Sequence, residues 1–250
     1  MFVGRQRELG ELERRYQRGD FEFGVIYGRR RVGKTSLLNE FSRDKKCIYF
    51  TGIESTEHQN LDRFSVAIGE KLGIKGIHFD SFFEAFEYLF ELAEDERLLL
   101  IIDEYPYIAR TSPSLASTLQ LLIDRHKATS KLFLILCGSS MSYMIDEVVA
   151  YRAPLYGRKT LEMKVEPLSY FESMEMLGDW SREDAALIYG LFGGLYNLKD
   201  DPFENHEMAK DNPEMVKTLF AAMKDRLVSE NACYPVDKNK RTLKPVLPKM

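Results

Sequence analysis

The chain has 250 residues, 44% of them hydrophobic and 30% charged, and carries a formal net charge of −4. That is enough apolar material for one good-sized domain, or for a core domain with a small appendage. The mildly acidic balance excludes a globally basic nucleic-acid coat, and no run approaches the ~18 apolar residues of a membrane-spanning helix.

The N-terminus, MFVGRQRELGELERR, has arginines and glutamates where a signal peptide has its apolar segment. Cys47, Cys137 and Cys233 lie far apart, without metal-finger or redox spacing. The expectation is a soluble, reduced, cytoplasmic protein.

In chain order, the first strand is FGVIY (residues 23–27), and GRRRVGKT (residues 28–35) follows it directly. This is the G-x-x-x-x-G-K-[ST] pattern in its strand–loop–helix setting, with a helix expected over residues 35–41. Gly28 and Gly33 give the backbone the freedom to aim successive N–H groups at phosphate oxygens, and the helix N-terminus adds positive potential. Lys34 reaches the phosphates as a point charge, and the Thr35 hydroxyl is placed for Mg²⁺. Mg-ATP is expected along residues 28–36, with Ser36 closing the set. Arg29, Arg30 and Arg31 lie inside the loop. They read as solvent-facing positions contacting nearby carboxylates, against extra phosphate attraction or a nucleic-acid contact, and Arg29 is kept among the nucleotide-binding positions.

Strand CIYFT (residues 47–51) comes next, followed by helices over residues 61–72 and 82–94. LLLIIDEYPYIA (residues 98–109) is an aliphatic strand ending in two carboxylates, which emerge beside the phosphate loop. Asp103 is expected in the Mg²⁺ shell, and Glu104 as the base that orients and activates the attacking water. A helix over residues 115–127 leads to LFLILCGSS (residues 132–140). There Ser139 or Ser140 is placed as a polar group sensing the γ-phosphate, or else as a turn and helix cap. A helix over residues 142–149 precedes APLYGRKT (residues 153–160) and a fifth strand at residues 161–165. Arg158 reads either as a surface arginine or as a cation for the transferring phosphoryl group, in cis or across a subunit interface. The alternation of strands and helices predicts a doubly wound α/β domain.

All 16 glycines fall at or before Gly194, whereas five of the nine prolines fall after it. A boundary is therefore expected near residue 195, followed by an amphipathic helix over residues 214–229 and an extended or disordered end.

FVGRQREL (residues 2–9), GRRRVGKT, LIIDEYPYIA, LCGSS and PLYGRKT, in this order and spacing, resemble the archaeal-type P-loop ATPases of the signal-transducing STAND group. These are relatives of AAA-type ATPases and of archaeal replication-initiation proteins. The resemblance covers residues 1–194. It implies a P-loop NTPase fold with a five-stranded, mostly parallel sheet flanked by helices, the sensor strand lying between the phosphate-loop strand and the Asp-Glu strand. It also implies ATP as ligand, Arg5 as a residue of the nucleotide pocket, and a functional role for Arg158. DNA enters by family analogy alone, and self-association or a protein partner stays open.

Departures follow. Gly193-Gly194 is followed by Leu195-Tyr196, where the family has a proline approaching the nucleotide and then a helical lid and effector domain. From Leu195, LYNLKDDPFENHEMAKDNPEMVKTLF is similar to the C-terminal tail of sulfatases, although the sulfatase nucleophile motif is absent. This organisation, residues 1–194 and 195–250, reads as a chimera or a truncated and re-joined reading frame. Slow Mg-dependent ATP hydrolysis as a molecular switch is the leading expectation. A non-catalytic nucleotide-binding module is the alternative. A small-molecule kinase is third, weakened by the Asp103-Glu104 pair and by the lack of an arginine-rich lid.

Overall fold

The computed structural model describes residues 2 and 4–168, together with 172, 214, 217, 218 and 221. Among them, Phe2 and Gly4–Pro167 form one compact unit. The expected boundary near residue 195 and the sulfatase-like tail lie outside the described residues. So does the helix over residues 214–229, apart from Glu214, Lys217, Thr218 and Ala221, which are helical.

The unit contains α1 (Gln6–Tyr16), β1 (Glu22–Tyr27), α2 (Lys34–Ser42), β2 (Cys47–Thr51), α3 (Glu57–Leu72) and α4 (Phe82–Asp95). It continues with β3 (Leu98–Asp103), α5 (Tyr105–Thr111), α6 (Leu115–His126), β4 (Leu132–Gly138), α7 (Met141–Tyr143) and β5 (Leu161–Lys164). The strands form one sheet in the order β2-β3-β4-β1-β5, and every pairing is parallel. Strand β4, which leads to Ser139 and Ser140, separates the phosphate-loop strand β1 from the Asp-Glu strand β3, as the resemblance implied.

Burial follows from this order. β1, β3 and β4 are covered on both faces and buried at every residue, whereas the edge strands β2 and β5 alternate between sheltered and more exposed positions. Side chains alternate between two cores. Leu98, Leu100 and Ile102 join Phe64, Phe86 and Phe90 on the face of α3, α4 and α6. Leu99, Ile101, Phe133 and Cys137 join Leu12, Leu37, Leu38 and Phe41 on the face of α1 and α2.

The differences from expectation have local causes. Helix α3 begins at Glu57, ahead of the expected residue 61, because its first turn is polar and is capped by Thr56, which accepts from the Gln59 amide at 3.3 Å. Helix α1 was missed because it is polar, with a single fully buried residue, Leu12. Helix α5 was hidden in the aliphatic run, although Pro106 suits a first helical turn. The helix expected over residues 142–149 is only one α-turn, α7, and then widens to a π-helix at Met144–Val149.

Candidate active site

The carboxyl ends of β1, β3 and β4 converge at the phosphate loop. The loop's two defining glycines have different reasons. A Cβ on Gly28 would stand 2.3 Å from the Val165 carbonyl oxygen, because the chain beyond β5 passes against it. Gly33 has open space around it but a φ of +86°, and Arg31 is left-handed too, at +69°. Backbone curled in this way gathers N–H groups into an anion-binding concavity. Lys34, 6% exposed, is held across the loop by the carbonyls of Gly28 at 3.0 Å and Arg29 at 2.8 Å. Thr35 and Ser36 present their hydroxyls on the exposed first turn of α2.

Asp103, 2% exposed, faces that turn. Its Oδ2 accepts from the Thr35 hydroxyl at 2.8 Å and from the Tyr49 hydroxyl at 2.8 Å, and its Oδ1 accepts from the Glu104 amide at 2.9 Å. Glu104 accepts through Oε2 from the Ser139 hydroxyl at 2.9 Å. Of the two serines considered, Ser139 therefore meets the acidic pair, whereas Ser140 precedes α7 with Arg110 at 3.5 Å. Gly52 and Gly138 clear the space in which Glu104 turns into α5. Cβ atoms there would meet Ile108 Cγ1 at 2.6 Å and Pro106 Cδ at 2.8 Å.

The Thr35 hydroxyl and the Asp103 carboxylate are hard oxygen donors in mutual contact. This suits Mg²⁺, which takes one or two protein oxygens and fills the rest of its shell from waters and substrate phosphates. Among the described residues no group of three or more His, Cys, Asp or Glu could hold a metal by itself.

Residues 2–200 match the family described as an ATPase domain predominantly from Archaea, ATPase_2. The chain belongs to this family. The chain is 33% identical over 195 residues to the protein MJECL04 of Methanocaldococcus jannaschii, covering 78% of this chain and 42% of that protein. A 46-residue stretch is 48% identical to the ATP-binding protein MJ0423 of the same organism, covering 18% of this chain and 78% of that protein. The chain thus spans less than half the length of MJECL04. In fold it is similar to the Walker-type ATPase of Pyrococcus abyssi, with TM-score 0.60 and 20% identity over 92% of this chain and 76% of that one. It is also similar to the Aeropyrum pernix ORC2 protein, solved as ADPNP–ADP complexes, with TM-score 0.55 and 16% identity over 74% and 57% of the two chains.

The remaining expected residues are placed less directly. Arg5, 4% exposed and left-handed at φ +62°, donates to the carbonyls of Val32 and Glu166 and pairs with Glu8 at 3.0 Å. It braces the phosphate loop against the end of β5. The Arg29 side chain is exposed, and its carbonyl carries the contact to Lys34. Arg30 meets a phenol where a carboxylate was expected, because α5 sets the Tyr107 hydroxyl 3.0 Å from it. Arg158 is not brought to the site. It precedes Thr160, which bonds Phe23 at the start of β1, whereas the phosphate loop follows the end of that strand, roughly 17 Å away at about 3.3 Å per residue. Asp124 on α6 holds its guanidinium in two-pronged fashion, at 2.6 and 3.1 Å.

Sequence reasoning missed Tyr49, Tyr107 and the surroundings of Cys137. Burial above all, and then Asp103, pushes both the Tyr49 phenol and the Cys137 thiol well above their ordinary range, so both stay protonated. Cys137 lies inside the LCGSS segment, but Tyr49 lies in no motif. Only the sheet order and the parity of β2 and β4 turn them toward Asp103.

All three non-glycine residues with positive φ among the described ones, Arg5, Arg31 and Glu104, border this site. Backbone strain concentrates where a geometry is held for use.

Proposed function

We propose that this domain binds ATP as its magnesium complex and hydrolyses it slowly, working as a switch. The observation that carries the reading is one chain of contacts, Thr35–Asp103–Glu104–Ser139, linking the first turn of α2 to the ends of β3 and β4 beside the phosphate loop. The loop amides and Lys34 would take the β- and γ-phosphates. Thr35 and Asp103 would hold Mg²⁺, which when bound neutralises charge on the phosphates. Glu104 would orient the attacking water and take its proton, with Ser139 fixing the carboxylate.

Because it stands a strand's length away, Arg158 would serve a phosphoryl group only on a second copy of the chain. The soluble composition supports a cytoplasmic setting, and among the described residues no helix is long and apolar enough to cross a membrane. A DNA contact rests on analogy alone.

The test measures nucleotide affinity and phosphate release together. Lys34→Ala is expected to abolish binding. Glu104→Gln is expected to keep binding and lose about 10²–10⁴-fold in turnover. Wild-type turnover by Glu104→Gln would show that the base lies elsewhere. Tight binding by the wild type with no phosphate release would favour the non-catalytic module.

A further inference from the structure

We infer that Tyr49 is a positioning residue for the metal site, setting how much Mg²⁺ the domain needs to bind ATP. The inference rests on the reading of this site as an Mg-ATP site.

Asp103 is almost wholly buried, with the Cys137 thiol turned toward it, and its carboxylate accepts from the Thr35 hydroxyl and the Tyr49 hydroxyl on Oδ2 and from the Glu104 amide on Oδ1. Two of these belong to the sequence motifs. The third comes from the edge strand β2, and the sheet register explains how it arrives. Tyr49 lies opposite Ile101 and Thr51 opposite Asp103, so Tyr49 and Asp103 share a face on a diagonal that a long side chain can span. That face is the one covered by α2, which carries Thr35.

For Thr35 to give an oxygen lone pair to a cation, its hydrogen must stay on Asp103. The carboxylate must therefore keep its plane when the ion arrives. The phenol occupies a second lone-pair direction of the same Oδ2 and so prevents the carboxylate from swivelling. Partners of this kind, one shell out from a metal, shift its affinity by about 10–100-fold when removed.

Tyr49→Phe keeps the ring and removes only the donor. The experiment titrates Mg²⁺ into wild type and variant with ATP present, reading nucleotide binding by calorimetry. The Mg²⁺ concentration for half-maximal binding is expected to rise about 10-fold or more in Tyr49→Phe. ATP affinity without Mg²⁺ should stay within about twofold, and the melting temperature within about 4 °C. Titrating Mn²⁺ and following it by electron paramagnetic resonance should give the same order of affinities without relying on turnover. An unchanged Mg²⁺ requirement would overturn the inference, as would an equal loss of affinity with and without the metal. If wild type failed to bind ATP at any Mg²⁺ concentration, the proposed function would fall and take this inference with it.

Discussion

Single residues here carry distinct duties that the same motif letters conceal. Gly28 is needed for space and Gly33 for its backbone angle. Gly28→Ala should therefore cost about 1–3 kcal/mol even without ligand, since the backbone of Val165 lies within the space a methyl group would take. Chemical denaturation of that variant checks this, and a midpoint equal to wild type would refute the packing argument. Lys34, Thr35, Asp103, Glu104 and Ser139 were legible in the sequence because each sits at the end of a recognisable strand or loop. Tyr49 was not, because no local pattern tells which strand is β3's neighbour or in which register the two pair.

Among the elements, β1, β3 and β4 were legible because length and aliphatic content mark parallel strands buried on both faces, and the edge strands β2 and β5 because apolar residues recur at every second position. Helices α1 and α5 lacked that signal, one being too polar and the other too short. Their seating nevertheless decides the site. Gly138 at the end of β4 lies under Pro106 of α5 and under Met144, whose sulfur would be 2.7 Å from an added Cβ. Gly138→Ala should push the start of α5 outward and carry Glu104 with it, lowering turnover more than nucleotide affinity. Paired affinity and turnover measurements would show this split, and equal losses would argue for a general loss of structure. In the same core, Phe64 packs on Phe50 at 5.1 Å and on Phe86 at 5.2 Å between ring centres, joining α3, β2 and α4. Phe64→Ala should cost about 3–5 kcal/mol, read from denaturant midpoints.

At the level of the whole described unit, the sheet has a chemical end and a closed end. Arg97 ties the closed end, donating to the carbonyls of Lys131 at 2.9 Å and Arg15 at 3.2 Å, while Arg158 locks onto Asp124. The hydrogen bonds from Arg158 hold the Asp124 carboxyl below the usual range. A depressed carboxylate stabilises above its unfolded value, about 3.9, and that contribution fades as pH falls through the folded value. Asp124 is partly exposed, so Asp124→Asn should cost only about 0.5–1 kcal/mol at pH 7. The gap to wild type should close as the pH of the melt is taken below the carboxylate range, and a gap that widened in acid would contradict the assignment.

The left-handed backbone at Glu104 has a consequence for the lineage of such a protein. An L-residue with a long side chain gives up about 1 kcal/mol to sit at φ +51°, and glycine would not. Glu104→Gly should therefore melt no lower than wild type while losing the proposed base. In a copy relieved of its task, drift toward tolerance of heat would erase this position early. Relatives bearing glycine or asparagine at this turn would be the ones to examine for lost turnover.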